Sequence, residues 1–143
     1  MTDKPNQWTD RVAPSLGDFE QMAAAAFAAL PSEFQTLAAT VHYVVTDFPD
    51  EATVKEMELD SEFDILGLFR GVGLPQGGAE LQTGQLPNQV WLYRRPILDY
   101  WTESDEGETL GEIITHVLVH EIGHHFGFSD ADMEAIEAQA DRE

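Results

Sequence analysis

Thr109-Leu-Gly-Glu-Ile-Ile-Thr-His-Val-Leu-Val-His-Glu-Ile-Gly-His-His-Phe-Gly127 decides how the rest of this chain is read. Thr109-x-x-Glu112 has the form of a capping box, in which each side chain accepts from the other residue's backbone amide, so a helix starts there. Leu110, Ile113, Ile114, Val117, Leu118 and Ile122 follow at helical spacing and trace one apolar stripe that runs on to Phe126. Gly127 is placed to end the helix in a left-handed turn, a conformation that costs any residue with a Cβ.

Outward from this helix the chain alternates short elements. Residues 15–30 carry Leu16, Phe19, Ala23, Ala26, Phe27 and Leu30 at helical spacing, with further alanines raising the propensity. Pro31-Ser-Glu breaks that helix, and after a short helical turn Val41-His-Tyr-Val-Val-Thr46 reads as a strand that Phe48-Pro49-Asp50 ends. Residues 51–59 suggest a short acidic helix and residues 64–69 a short strand. Six of the 11 glycines fall between Gly67 and Gly84, so this stretch reads as turn and loop. It is not a phosphate-binding loop, because no Gly-Lys-Ser/Thr follows. Gln89-Val-Trp-Leu-Tyr-Arg94 is β-prone, and Pro96 lets a helix start with Ile97, Tyr100 and Trp101 on one face. Residues 130–139 make a last short helix with Met133, Ile136 and Ala140 facing inward. Residues 1–14 are polar, hold Pro5 and Pro14, and read as an arm outside one domain spanning 15–143.

Charge and composition narrow the function. Seven basic residues against 27 acidic ones give a formal charge of -20, while 43% of the 143 residues are hydrophobic, enough for a core. Such a surface suits neither nucleic acid nor an anionic membrane, since both recruit clustered Lys and Arg. Cysteine is absent, which excludes disulfides, thiolate metal sites and a cysteine nucleophile, so any metal must be held by His, Asp and Glu. With no basic and apolar leader at the start and no run long enough to span a bilayer, a soluble cytoplasmic protein is expected.

The chemistry gathers at the end of the long helix. In His120-Glu-Ile-Gly-His124 the two imidazoles lie one above the other on one helix face and can share a metal ion, while Glu121 is rotated away from the ligands and is free to handle a proton. Gly127 lets the chain reverse, so Asp130 can be swung back as an oxygen ligand, and three protein ligands leave one position open, the catalytic pattern. H-E-x-x-H alone would arise by chance in roughly one chain in fifty of this composition, but the string extended to Gly127 and Asp130 in roughly one in ten thousand. Glu121 also falls within the apolar stripe, where an idle carboxylate is costly. Glu134 and Glu137 on the last helix are the rivals of Asp130 for the third ligand. The remaining acid lacks the Asp-x-Asp-x-Asp-Gly form of a calcium loop.

The string His120-Glu-Ile-Gly-His-His-Phe-Gly-Phe-Ser-Asp130, with Leu92-Tyr-Arg-Arg-Pro-Ile97 upstream, resembles the minimal zincin family of small bacterial zincin-like metallopeptidases, over residues 15–130. Asp in the third place also resembles snapalysin-type enzymes. The resemblance implies a compact α+β domain, a small sheet packed against helices with the metal site on an active-site helix. It implies zinc (Zn2+) on His120, His124 and Asp130, with Glu121 as general base in peptide-bond hydrolysis by a metal-activated water. The expected partner is a peptide or protein substrate. The alternative is a non-catalytic metal-binding or protein-interaction module on the same scaffold. Met133 falls in a helix and is not assigned to a methionine turn. Around the motif, His116 suits packing or hydrogen bonding better than ligation, His125 suits a supporting or buried role, and His42 a strand position. Tyr93, Tyr100, Arg94 and Arg95 are candidates to face a developing oxyanion.

Overall fold

The computed structural model describes residues 9–71 and 88–141. The first eight residues of the expected arm, and the glycine-rich stretch beyond Gly71, lie outside them. Among the described residues, six α-helices and three strands follow the order α1 (Leu16–Ala28), α2 (Ser32–Leu37), β1 (His42–Thr46), α3 (Glu51–Glu56), β2 (Gly67–Arg70), β3 (Gln89–Tyr93), α4 (Arg94–Glu103), α5 (Leu110–His125) and α6 (Asp130–Asp141), with a 3-10 turn at Glu62–Asp64 before β2. The architecture is the expected α+β domain, a small sheet backed by helices. No helix among the described residues is long and apolar enough to cross a membrane.

The three strands pair in the order β1-β3-β2, with β3 parallel to β1 and antiparallel to β2. α1 lies against β1, α5 lies against β2 and β3, and the two helices touch each other, so both cover one face of the sheet. Between them Phe19, Ala23, Val45, Val90, Leu92 and the whole stripe of α5 from Leu110 to Ile122 are buried. Each large aliphatic side chain removed from water in this way contributes about 1.5–3 kcal/mol before the entropy of ordering is counted.

Local signals fix the helix ends. Ser15 caps α1 and Thr109 caps α5, each in a reciprocal box with the acid three residues on, Asp18 and Glu112. At the other end of α5 the Phe128 amide donates to the Gly123 carbonyl (2.9 Å) and the Gly127 amide to the His124 carbonyl (3.1 Å), with Gly127 at φ +83°. This is the double-bonded left-handed stop that the position of Gly127 predicts. Another such box, Ser129 with Asp132, restarts the chain as α6.

Two expectations need correction. The strand expected over residues 64–69 is β2 at Gly67–Arg70, with Asp64 in the 3-10 turn before it, so Gly67 belongs to that strand and not to the loop read from Gly67 onward. α4 begins at Arg94, two residues ahead of Pro96, which a first turn tolerates because its amides have no intrahelical acceptor. Ile97 is buried as expected, while Tyr100, expected beside it, is 47% exposed.

β2 approaches α5 so closely that only glycine fits at its start. A Cβ on Gly67 would stand 2.5 Å from Val117 Cγ1 and 2.8 Å from the Trp91 carbonyl oxygen. The second of these is backbone inside the sheet and has nowhere to move. Gly67→Ala is therefore expected to lower stability by about 1–3 kcal/mol, the usual cost of overpacking, read as a lower urea midpoint. Gly111→Ala is the control. Its added methyl meets nothing closer than Thr109 Oγ1 at 3.9 Å, so stability should hold or rise by up to about 1 kcal/mol from helix propensity.

Candidate metal centre

His116, His120 and His124 occur at four-residue intervals and so form a row along α5. Opposite them α6 carries Asp130, Glu134 and Glu137, again spaced to share one helix face. The two rows meet over an open cavity lined by His116, His120, Asp130, Glu134, Glu137 and Ala138. What brings the helices this near is Gly123, whose Cβ would lie 2.6 Å from Met133 Sδ. Met133 is fully buried against it.

Within the cavity Glu137 spans two rungs. Its Oε1 lies 2.9 Å from His116 Nδ1 and its Oε2 3.2 Å from His120 Nε2. Among the described residues these three side chains form the one group of potential ligands whose donor atoms all lie within 4.8 Å of one another. The His116 and His120 rings have centroids 4.0 Å apart, whereas those of His120 and His124 are 5.8 Å apart and perpendicular. Of the ligands expected from sequence, His120 and Asp130 thus share the cavity, His124 stands beside His120, and the carboxylate held against His120 is that of Glu137. Burial, and after it the neighbouring His116, hold His120 below the ordinary imidazole range despite the pull of Glu137. His120 therefore stays neutral, the form a metal needs, further into acid than an ordinary histidine does.

Glu121 faces the other way, toward the sheet. Tyr93 donates to the Leu66 carbonyl, and the antiparallel register pairs Gly67 with Leu92 and Phe69 with Val90. Backbone groups alternate in direction along a strand, so the Phe69 amide points away from β3. It donates to Glu121 Oε1 at 3.2 Å. Burial raises Glu121 above the ordinary carboxylate range, against the opposing effects of this amide and of His124. The stripe position of Glu121 thus resolves into a half-buried carboxylate tied to a backbone donor.

His116 has the hydrogen-bonding role expected of it, with Glu137 as its partner. His125 is exposed rather than buried and stacks on Phe69, with ring centroids 4.0 Å apart. His42 starts β1 with its side chain exposed. Of the oxyanion candidates, Arg94 binds the Pro14 carbonyl and Asp47, and Arg95 lies over the Phe48 ring. Tyr93 is buried, which raises its pKa. None of the four lines the cavity of His120. The bridging reach of Glu137 was the feature sequence reasoning missed, although its seven-residue spacing from Asp130 was the available signal.

A model of the zincin-like metallopeptidase family matches residues 38–140, a span that holds all three strands and both helices of the site. The chain belongs to the zincin-like family. Among solved structures, a conserved hypothetical protein from Thermo thermophilus is similar in fold, with a TM-score of 0.51, 18% identity, and alignment over 90% of this chain and all of that one. No curated protein matches the chain.

The close seat of Met133 on the zincin-like helix α5 can be tested directly. Gly123→Ala should fail to gain the helix propensity of about 1 kcal/mol that alanine normally brings, because the methyl enters the space of Met133. Met133→Ala should relieve that clash. A double-mutant cycle by chemical denaturation is expected to show coupling of at least about 0.5 kcal/mol between the two positions. Strict additivity would show that the two helices are not held together here.

Proposed function

We propose that this chain is a zinc-dependent peptidase in which His120, His124 and Asp130 hold the metal and Glu121 is the general base. The observation that supports this most is the placement of Glu121, half-buried beside the histidine row and tied through one oxygen to the Phe69 amide of β2. Of the proposed ligands, His120 and Asp130 line the cavity between α5 and α6, His124 lies one turn beyond His120 on the same face, and imidazole nitrogen with carboxylate oxygen is a donor set that zinc accepts. When bound, zinc would supply Lewis acidity toward a carbonyl oxygen and toward water.

The protein's own part is positional. The Phe69 amide holds Oε1 of Glu121, leaving Oε2 to accept the proton of an attacking water and return it to the leaving amine. The raised affinity of Glu121 for a proton suits both halves of that transfer, because a base must also be able to act as an acid afterwards. The outer edge of β2, unpaired among the described residues, supports an extended peptide backbone as the class of substrate.

A second reading, a module that binds metal without hydrolysis, draws on the way Glu137 already engages His116 and His120. Glu121→Gln separates the two. The amide keeps the shape and can still accept from Phe69, but it cannot take a proton at neutral pH. For a peptidase the variant should keep its zinc and its melting temperature and lose cleavage of a peptide library by roughly two to four orders of magnitude. Unchanged turnover at full zinc occupancy would remove Glu121 from the role.

Ligand assignment has its own measurement, equilibrium dialysis at neutral pH. One zinc per chain is expected, lost on acidification as the imidazoles protonate. Asp130→Ala should weaken retention by at least about tenfold to a hundredfold and Glu134→Ala should do little, taking the range known for residues that support a ligand as the minimum for a ligand itself.

A further inference from the structure

We propose that His116, His120 and Glu137 form a second register for a divalent metal ion, one helical turn from the His120–His124 pair and mutually exclusive with it. Three histidines at four-residue intervals on α5 define two adjacent pairs, and His120 belongs to both. In the pair His116–His120 the rings are already close, and one carboxylate from α6 reaches both through different oxygens, at 2.9 and 3.2 Å. Zinc with tetrahedral bonds of about 2.0–2.1 Å holds its ligand atoms about 3.3 Å apart. The two carboxylate–imidazole separations are near that spacing, and all three side chains offer donor atoms within 4.8 Å of one another, so rotation of these side chains closes the rest of the gap.

Exclusivity follows from the shared atom. His120 Nε2 is the nitrogen that faces Glu137, and one ring nitrogen has one lone pair to give. An ion between His116 and His120 sits on the Glu137 side, about 9 Å along the helix from the level of His124. There it withdraws His120 from the pair that flanks Glu121. This register stores the metal in a hydrolytically silent position. The exclusivity rests on the reading of His120 and His124 as the zinc pair, whereas the existence of the site does not.

The test uses the full chain carrying His124→Ala, which removes the first register, with zinc affinity measured by competition against a chromophoric chelator. This variant is expected to bind one zinc per chain. Adding His116→Ala, or separately Glu137→Gln, should weaken that binding by at least about tenfold. His116 is half-exposed, so its removal leaves the core intact, and circular dichroism checks that each variant is folded. In the His124→Ala protein, zinc should shift the ring nitrogen resonances of both His116 and His120. A folded His124→Ala protein that retains no zinc, an affinity indifferent to His116→Ala, or a shift confined to His120 would each overturn the site. Two zinc ions per parent chain at excess metal would overturn the exclusivity. Absence of peptide cleavage by the fully loaded parent would count against the peptidase reading and leave these metal measurements standing.

Discussion

At Gly67 the backbone of β2 lies against α5 with no room for a methyl group, and the candidate site depends on that approach. Two residues along the strand, the Phe69 amide reaches Glu121. A strand standing off by even one methyl diameter would leave the carboxylate half-buried without a backbone donor, an arrangement costing about 1–3 kcal/mol. The apolar stripe of α5 and the glycine of β2 therefore act together. One buries the helix against the sheet, and the other sets the depth at which it lies.

The helical half of this architecture was legible because its signals are local. Thr109 and Glu112, the spacing of Ile113, Ile114, Val117, Leu118 and Ile122, and the left-handed Gly127 each operate within one or two turns, and each is found in place. The pattern His120-Glu-Ile-Gly-His124 was legible for the same reason. Strand order was not, since nothing near residues 42 or 67 says that β3 will lie between β1 and β2. Gly67 fell both in the strand expected over 64–69 and in the glycine-rich loop, because its reason for being glycine is a side chain far along the chain, Val117. Glu137 was visible as a rival ligand, but its reach across to His116 depends on how α6 docks through Met133. That docking is a tertiary property that periodicity within α6 cannot report.

The high acidity of the chain is also more organised than its net charge suggests. Asp130, Glu134 and Glu137 are drawn onto one face by helical spacing and line one cavity with the imidazoles of His116 and His120, so part of the negative charge is concentrated there. Asp18, Asp64, Glu112 and Asp132 instead serve as partners in capping boxes at the starts of helices. In those positions a carboxylate relieves unsatisfied amides rather than repelling its neighbours.

The turn at Gly127 has one more physical consequence. α5 ends at His125 and α6 begins at Asp130, so the negative end of one helix dipole and the positive end of the next lie on either side of four residues. His124 sits where peptide dipoles favour positive charge, and Asp130 and Asp132 sit where they favour negative charge, each effect being about 0.3–1 kcal/mol at low ionic strength. The backbone alone thus gives this corner a fixed polarity. It would remain if every acidic side chain in the cavity were neutralised, and it would fade only as salt screens it.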